Sequence, residues 1–200
     1  MRLKTPVLTA VCLLLSLSLL AQHEHSNMSE ADMKKMMEAY QKATSPGDAH
    51  KALDSMVGTW DTVIRFWAAP GAPPQESTGI AENRWILGGR YVEQRFKGSA
   101  MGQPFEGLGY TGYDNMRKQY FGTWMDTMST GMMSTTGRVE DGGKTWKFKG
   151  MMDDPVMNTS IPVDEVVKVL SPDKHVMEMW QPGPDGKSFK SMEITYTRKK

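Results

Sequence analysis

Trp85-Ile86-Leu87-Gly88-Gly89-Arg90-Tyr91, then Gly102-Gln103-Pro104-Phe105-Glu106-Gly107-Leu108-Gly109-Tyr110-Thr111-Gly112-Tyr113-Asp114-Asn115, then Trp124-Met125-Asp126, is the stretch that decides the fold. It holds aromatic and branched residues in short runs, broken every few positions by Gly, Pro, Asn or Asp. No run in it sustains the 3.6-residue apolar spacing of a helix, whereas short strands closed by turns account for all of it. The glycines at 102, 107, 109 and 112 are too loosely placed for a phosphate cradle, because such a loop must deliver the chain into a helix N-terminus and no helical pattern follows Gly112. They read as bends in a curled sheet.

The same punctuation continues in both directions. Trp60/Thr62/Ile64/Phe66 alternate with Asp61/Val63/Arg65, and Trp146/Phe148 with Lys147/Lys149, as half-buried strands do. Turn clusters at 70–74, 88–89, 98–104, 114–115, 141–143, 153–155, 171–173 and 182–186 leave ten predicted strands, near 56–67, 76–86, 90–97, 105–113, 118–126, 129–139, 145–152, 161–170, 174–181 and 188–198. Consecutive strands with tight connections form a meander, and closing it removes two exposed edges, so an antiparallel barrel is expected. Helical signals occur only ahead of it. Ser29 and Asp32 form a capping box, and Met33, Met36, Met37 and Tyr40 recur at helical spacing until Ser45-Pro46-Gly47. A second, shorter helix from Asp48 to about Ser55 turns Leu53 inward.

Gly58-x-Trp60 just after that helix, with Arg198 near the end of the last strand, resembles the closure signature of lipocalins and other calycins, in which the Trp shuts one end of the barrel and a basic side chain packs across its indole. Together with the three motifs quoted above and Met192-Glu193-Ile194-x-Tyr196-x-Arg198, the pattern is similar to the bacterial family known as domain of unknown function 1579, over roughly residues 51–199. The resemblance implies an all-β, calycin-like (lipocalin-like) barrel of about ten strands, able to enclose a small molecule. It carries over no catalytic residue and no cofactor.

Composition narrows the function classes. Lys and Arg number 24 against 23 Asp and Glu, a balance that argues against the broad basic face phosphate contacts require and so against a nucleic-acid role. Residues 1–21 read as a secretory signal peptide, with Arg2 and Lys4 ahead of an apolar run. Cleavage after Ala21 leaves 22–50 as a linker with the amphipathic helix and 51–200 as the barrel. The mature chain is then an exported, periplasmic or secreted protein of net charge about −1, with no later run long enough to span a bilayer. The single cysteine, Cys12, lies inside the leader, so disulfides and thiol catalysis are excluded from the mature chain.

An apolar cavity with a few convergent polar groups is the usual small-ligand site. The polar and aromatic residues falling within strands or at their mouths are therefore the candidates: Trp85, Tyr91, Arg95, Tyr113, Trp124, Asp126, Glu178 and Glu193, beside Arg84 and Glu93. The expected activity is non-catalytic binding of a small apolar or amphipathic molecule. One alternative is copper or silver binding, since 18 methionines supply soft ligands and His23-x-His25 stands near the new N-terminus. Another is an enzyme using Asp126, Glu178 or Glu193 as general acid or base, which a carboxyl isolated in an apolar pocket would favour. His50 and His175 read as solvent-exposed linker and turn residues.

Overall fold

The structure is a computed structural model that describes residues 28–154 and 157–200. The leader at 1–21, its cleavage point, and His23 and His25 lie outside the described residues. Helix α1 (Glu30–Thr44) begins as its capping box predicts, with the Asp32 amide donating to Ser29 Oγ at 3.1 Å. Taken by itself it buries no residue, and Met33, Met36 and Met37 are each about half exposed. None of the described helices is long and apolar enough to cross a membrane.

Ten strands follow: β1 (Gly58–Phe66), β2 (Gln75–Ile86), β3 (Tyr91–Ala100), β4 (Gln103–Asp114), β5 (Gln119–Asp126), β6 (Met133–Glu140), β7 (Thr145–Asp154), β8 (Thr159–Ser171), β9 (Lys174–Pro182) and β10 (Ser188–Arg198). Each pairs antiparallel with the next, and β1 closes the barrel on β10 with Trp60 opposite Arg198, Thr62 opposite Tyr196 and Ile64 opposite Ile194. Two strand boundaries differ from the expectation by three residues or more. Gly98, Ser99 and Ala100 extend β3, because the reversal takes only Met101 and Gly102, both at positive φ as a two-residue hairpin turn requires. β6 begins at Met133 instead of 129, since Asp126 Oδ1 accepts the Met128 amide and Ser129 Oγ the Gly131 amide, which builds a loop there.

One end of the barrel is filled. The short helix α2 (Asp48–Lys51) and the 3₁₀ turn Ala52–Met56 press Leu53, fully buried, among Val92, Tyr120, Trp146 and Phe148. Burying a leucine this completely stabilises by about 2 kcal/mol. Trp60, also fully buried, donates from Nε1 to the Met56 carbonyl at 3.0 Å. The Arg198 guanidinium lies 4.1 Å from the Trp60 ring centroid and donates to the Val57 and Pro172 carbonyls. A side chain at Gly58, whose φ is 135°, would collide with that guanidinium, so only glycine serves at the start of β1. At the other end the inward side chains are less covered: Phe66 is 43% exposed, and Phe105, Trp124, Met133, Met152, Ile161 and Met192 are half-buried.

Candidate functional site

The inner wall is set by alternation, and its glycines decide how much of the barrel stays empty. Gly107 and Gly109 on β4 face inward, and the Trp124 indole from β5 lies against both; Phe96 lies in the same way over Gly79 and Gly98, and Phe148 over Gly137. A Cβ at any of these positions would strike the ring beside it. Because the neighbouring strand offers no side chain there, the rings tile the wall instead of projecting toward the barrel axis.

Glu165 interrupts this apolar surface. On β8 the inward series runs Ile161, Val163, Glu165, Val167, Val169, and Glu165 sits opposite Phe148 on β7 and Met179 on β9, both almost fully buried. Wall atoms surround its side chain, yet part of its surface stays reachable from the interior, as befits a group lining a space and not one packed into solid core. Among the described residues no hydrogen bond or ion pair reaches its carboxyl. Burial alone pushes its pKa up to about 7.

Further polar groups share the interior. Tyr196, 6% exposed, feels the Glu165 charge and takes a hydrogen bond from the Gln94 amide; burial first, then that charge, raises its phenol pKa. Thr62, opposite Tyr196 in the ladder and 2% exposed, leaves its hydroxyl unpartnered, as do His175 its Nδ1 and Asn83 its Oδ1. The expectation of exposed histidines is corrected by burial. His175 is 4% exposed, stacked 4.3 Å from Tyr196 and edge-on to Trp60 at 4.4 Å, with its pKa pushed down to about 4 by desolvation and then by Arg198. His50, 5% exposed, accepts the Gly47 amide on Nδ1. Beside it a shallow cleft of about 220 Å³ is lined by Pro46, Gly47, Asp54 and Trp85, and carries no unsatisfied polar group.

Half of the residues singled out from the sequence face the interior. Trp124 and Asp126 do so together, joined by a 2.9 Å hydrogen bond from the indole to the carboxylate. Trp85 and Tyr113 face inward at the filled end, where Trp85 Nε1 donates to Asp54 at 2.8 Å and Tyr113 packs on Tyr120. The other four are on the outer wall. Tyr91 stacks edge-on with Phe121, and Glu178 and Glu193 share Lys190, with Lys168 and Arg65 completing their pairs. Arg95 binds Glu93, which Arg84 also holds at 2.8 Å, so two guanidinium groups cover a carboxylate that is 5% exposed. The hydrogen bond from Arg95 keeps the Glu93 carboxyl below its usual range, outweighing desolvation. These carboxylates are therefore structural partners. Glu165, the interior carboxyl without a partner among the described residues, is not among the residues singled out, although its phase in the Ile161/Val163/Val167/Val169 alternation marks it.

Among the described residues no group of three or more His, Cys, Asp or Glu could hold a metal ion, and Met101, Met128, Met132, Met151 and Met157 are each half or more exposed.

Residues 45–198 match the family described as Protein of unknown function (DUF1579), and the chain belongs to it. A comparison with curated proteins finds no match. Among solved structures, the chain is similar to Rv2717c from M. tuberculosis, at 13% identity and a TM-score of 0.56, over 78% of this chain and all of that one. It is also similar to the S-type phycobiliprotein lyase CPES from Guillardia theta, at 11% identity and a TM-score of 0.53, over 76% of this chain and 93% of the other. At these identities the shared property is the barrel.

Proposed function

We propose that this protein is an exported binding protein whose barrel interior holds a small apolar or amphipathic molecule without transforming it. The observation that carries the reading is Glu165, a carboxyl reachable from the interior, without a partner among the described residues, and set among Phe148, Val163, Val167 and Met179. A carboxyl left so inside an apolar wall costs stability, and sites that retain such a group ordinarily use it on something that enters. Aromatic rings laid against inward glycines support the same use, since they give the wall apolar area. The barrel shared with a phycobiliprotein lyase fits an interior used for a guest, and the basic-then-apolar leader at 1–21 supports export.

Native mass spectrometry on protein produced with its own leader and purified gently from the cell envelope tests both halves of the reading. The expected result is a mass beginning near Gln22, carrying an organic adduct that denaturation releases. A chain that retains its leader removes export. No adduct, together with no saturable uptake of an apolar naphthyl dye, removes the binding reading.

General acid-base chemistry by Glu165 is a second reading, favoured by its pKa near 7. It predicts that the released adduct is a mixture of substrate and product, whereas a binding protein releases a single species.

A further inference from the structure

We propose that the molecule held in the barrel is an amphipathic amine, whose nitrogen donates to the Glu165 carboxyl while its apolar part lies against the half-buried inward side chains Phe105, Trp124, Ile161 and Met192. This rests on the interior being a binding space, and it adds the chemical class of the guest.

The sorting of charge across the wall argues for it. Among the described strand residues, every Lys and Arg but Arg198 occupies an outward position, where Arg65, Arg84, Arg95, Lys97, Arg138, Lys147, Lys149, Lys168 and Lys190 are all engaged in ion pairs. Arg198 is committed to Trp60, Asp173 and two backbone carbonyls at the filled end. A carboxylate or phosphate guest would therefore meet no free cation of the described strands inside, and would stand against the like charge of Glu165.

Inward polar atoms besides Glu165 are also buried without a partner: Thr62 Oγ1, a hydroxyl that can donate or accept, His175 Nδ1 and Asn83 Oδ1. Asn83 is committed on its other side, its amide donating to the Met56 carbonyl at 2.8 Å, so the free atom is the acceptor. A guest bearing N–H groups satisfies Glu165, whereas a hydrocarbon leaves it unpaired. The aromatic rings on the wall add a second attraction, since a cation is drawn to a π face.

The test is displacement of a neutral naphthyl dye by decylamine, decanol and decanoate, which share one chain and differ in the head group, at about pH 8 where carboxylates are ionised. Wild-type protein, Glu165→Gln and Asp164→Asn are compared. Asp164 is the neighbouring acid, outward-facing and paired with Lys149 at 3.5 Å, so its variant makes the same change of charge on the other side of the wall. We expect decylamine to displace the dye at a concentration at least about tenfold below that of decanoate, with this preference lost in Glu165→Gln and kept in Asp164→Asn. If decanol displaces the dye but the amine is not preferred, or if Glu165→Gln keeps the preference, the assignment of an amine is overturned while the binding reading stands. If the dye binds none of the three proteins, the binding reading itself fails.

Discussion

Replacing Glu165 by Gln should make the protein more stable, and only above the ordinary carboxylate range. Burial raises the Glu165 pKa from 4.5 to about 7, so between those values the folded protein keeps a proton that the unfolded chain releases. Stability from this group is fully present below about pH 4.5 and is lost as pH rises to about 7. A shift of about two and a half units corresponds to about 3 kcal/mol. Because part of the side chain faces open interior space, water there lowers the cost, and we expect about 1 to 3 kcal/mol. In a domain of this size that is roughly 3 to 10 °C in Tm. His175 acts with the opposite sign in an overlapping window. Its pKa falls from 6.5 to about 4 on folding, so its contribution is present above about pH 6.5 and is lost as pH falls. Between pH 4.5 and 6.5 Glu165 therefore opposes the rise of stability with pH that His175 contributes, and Glu165→Gln should steepen that rise. Urea unfolding followed by tryptophan fluorescence at closely spaced pH values measures both curves, and their difference cancels His175. A pH-independent offset between variant and wild type would refute the reasoning, since it would mean that Glu165 ionises in the folded protein as it does in the unfolded one.

Arg198→Met should cost about 1 to 3 kcal/mol in the same assay, because it removes the cation over Trp60 and leaves the Val57 carbonyl unpaired; a loss below a few tenths would show that the seam does not depend on it. Leu53→Ala, at a fully buried position, should cost about 2 to 5 kcal/mol, and a surface-like value would mean that the filled end is not core. Gly107→Val should drive the Trp124 indole off the wall, at a cost of about 1 to 3 kcal/mol, with an altered near-ultraviolet circular dichroism spectrum and weakened dye uptake; an unchanged spectrum would refute the tiling.

Strand count and closure could be read from the sequence because both rest on local signals: alternation at Trp60/Thr62/Ile64/Phe66, and turn residues every eight to twelve positions. Of the two boundaries displaced furthest, the start of β6 is set by side chains, Asp126 and Ser129, and the end of β3 by a two-residue turn at Met101 and Gly102 tighter than the run of turn residues suggests. The interior was harder to read. Tyr91, Arg95, Glu178 and Glu193 are strand residues like Trp124 and Asp126, and which side of the wall they occupy follows from a phase that one residue of slip inverts. Glu165 was legible in principle, since Lys168 and Asp164 fix the outward phase of β8, but a lone acid beside another acid reads as solvated surface. Burial of His175 could not be anticipated, because it depends on Tyr196 and Trp60 from strands that meet it only once the barrel is closed.

That seam has a consequence for how the molecule is made. Every other strand pairing joins neighbours in sequence, so nine of the ten ladders could zip as local hairpins while the chain emerges. The pairing of β1 with β10 spans nearly the whole domain, with Arg198 reaching Val57 across 141 residues. Until the last strand is available the sheet has two unpaired edges, and such edges invite pairing with other chains. The slow step of folding is expected to be this single ring closure, whose loop entropy is met all at once. Arg198 is its latch, and a chain cut short before Thr195 should accumulate as open, self-associating ribbon and not as a weaker barrel.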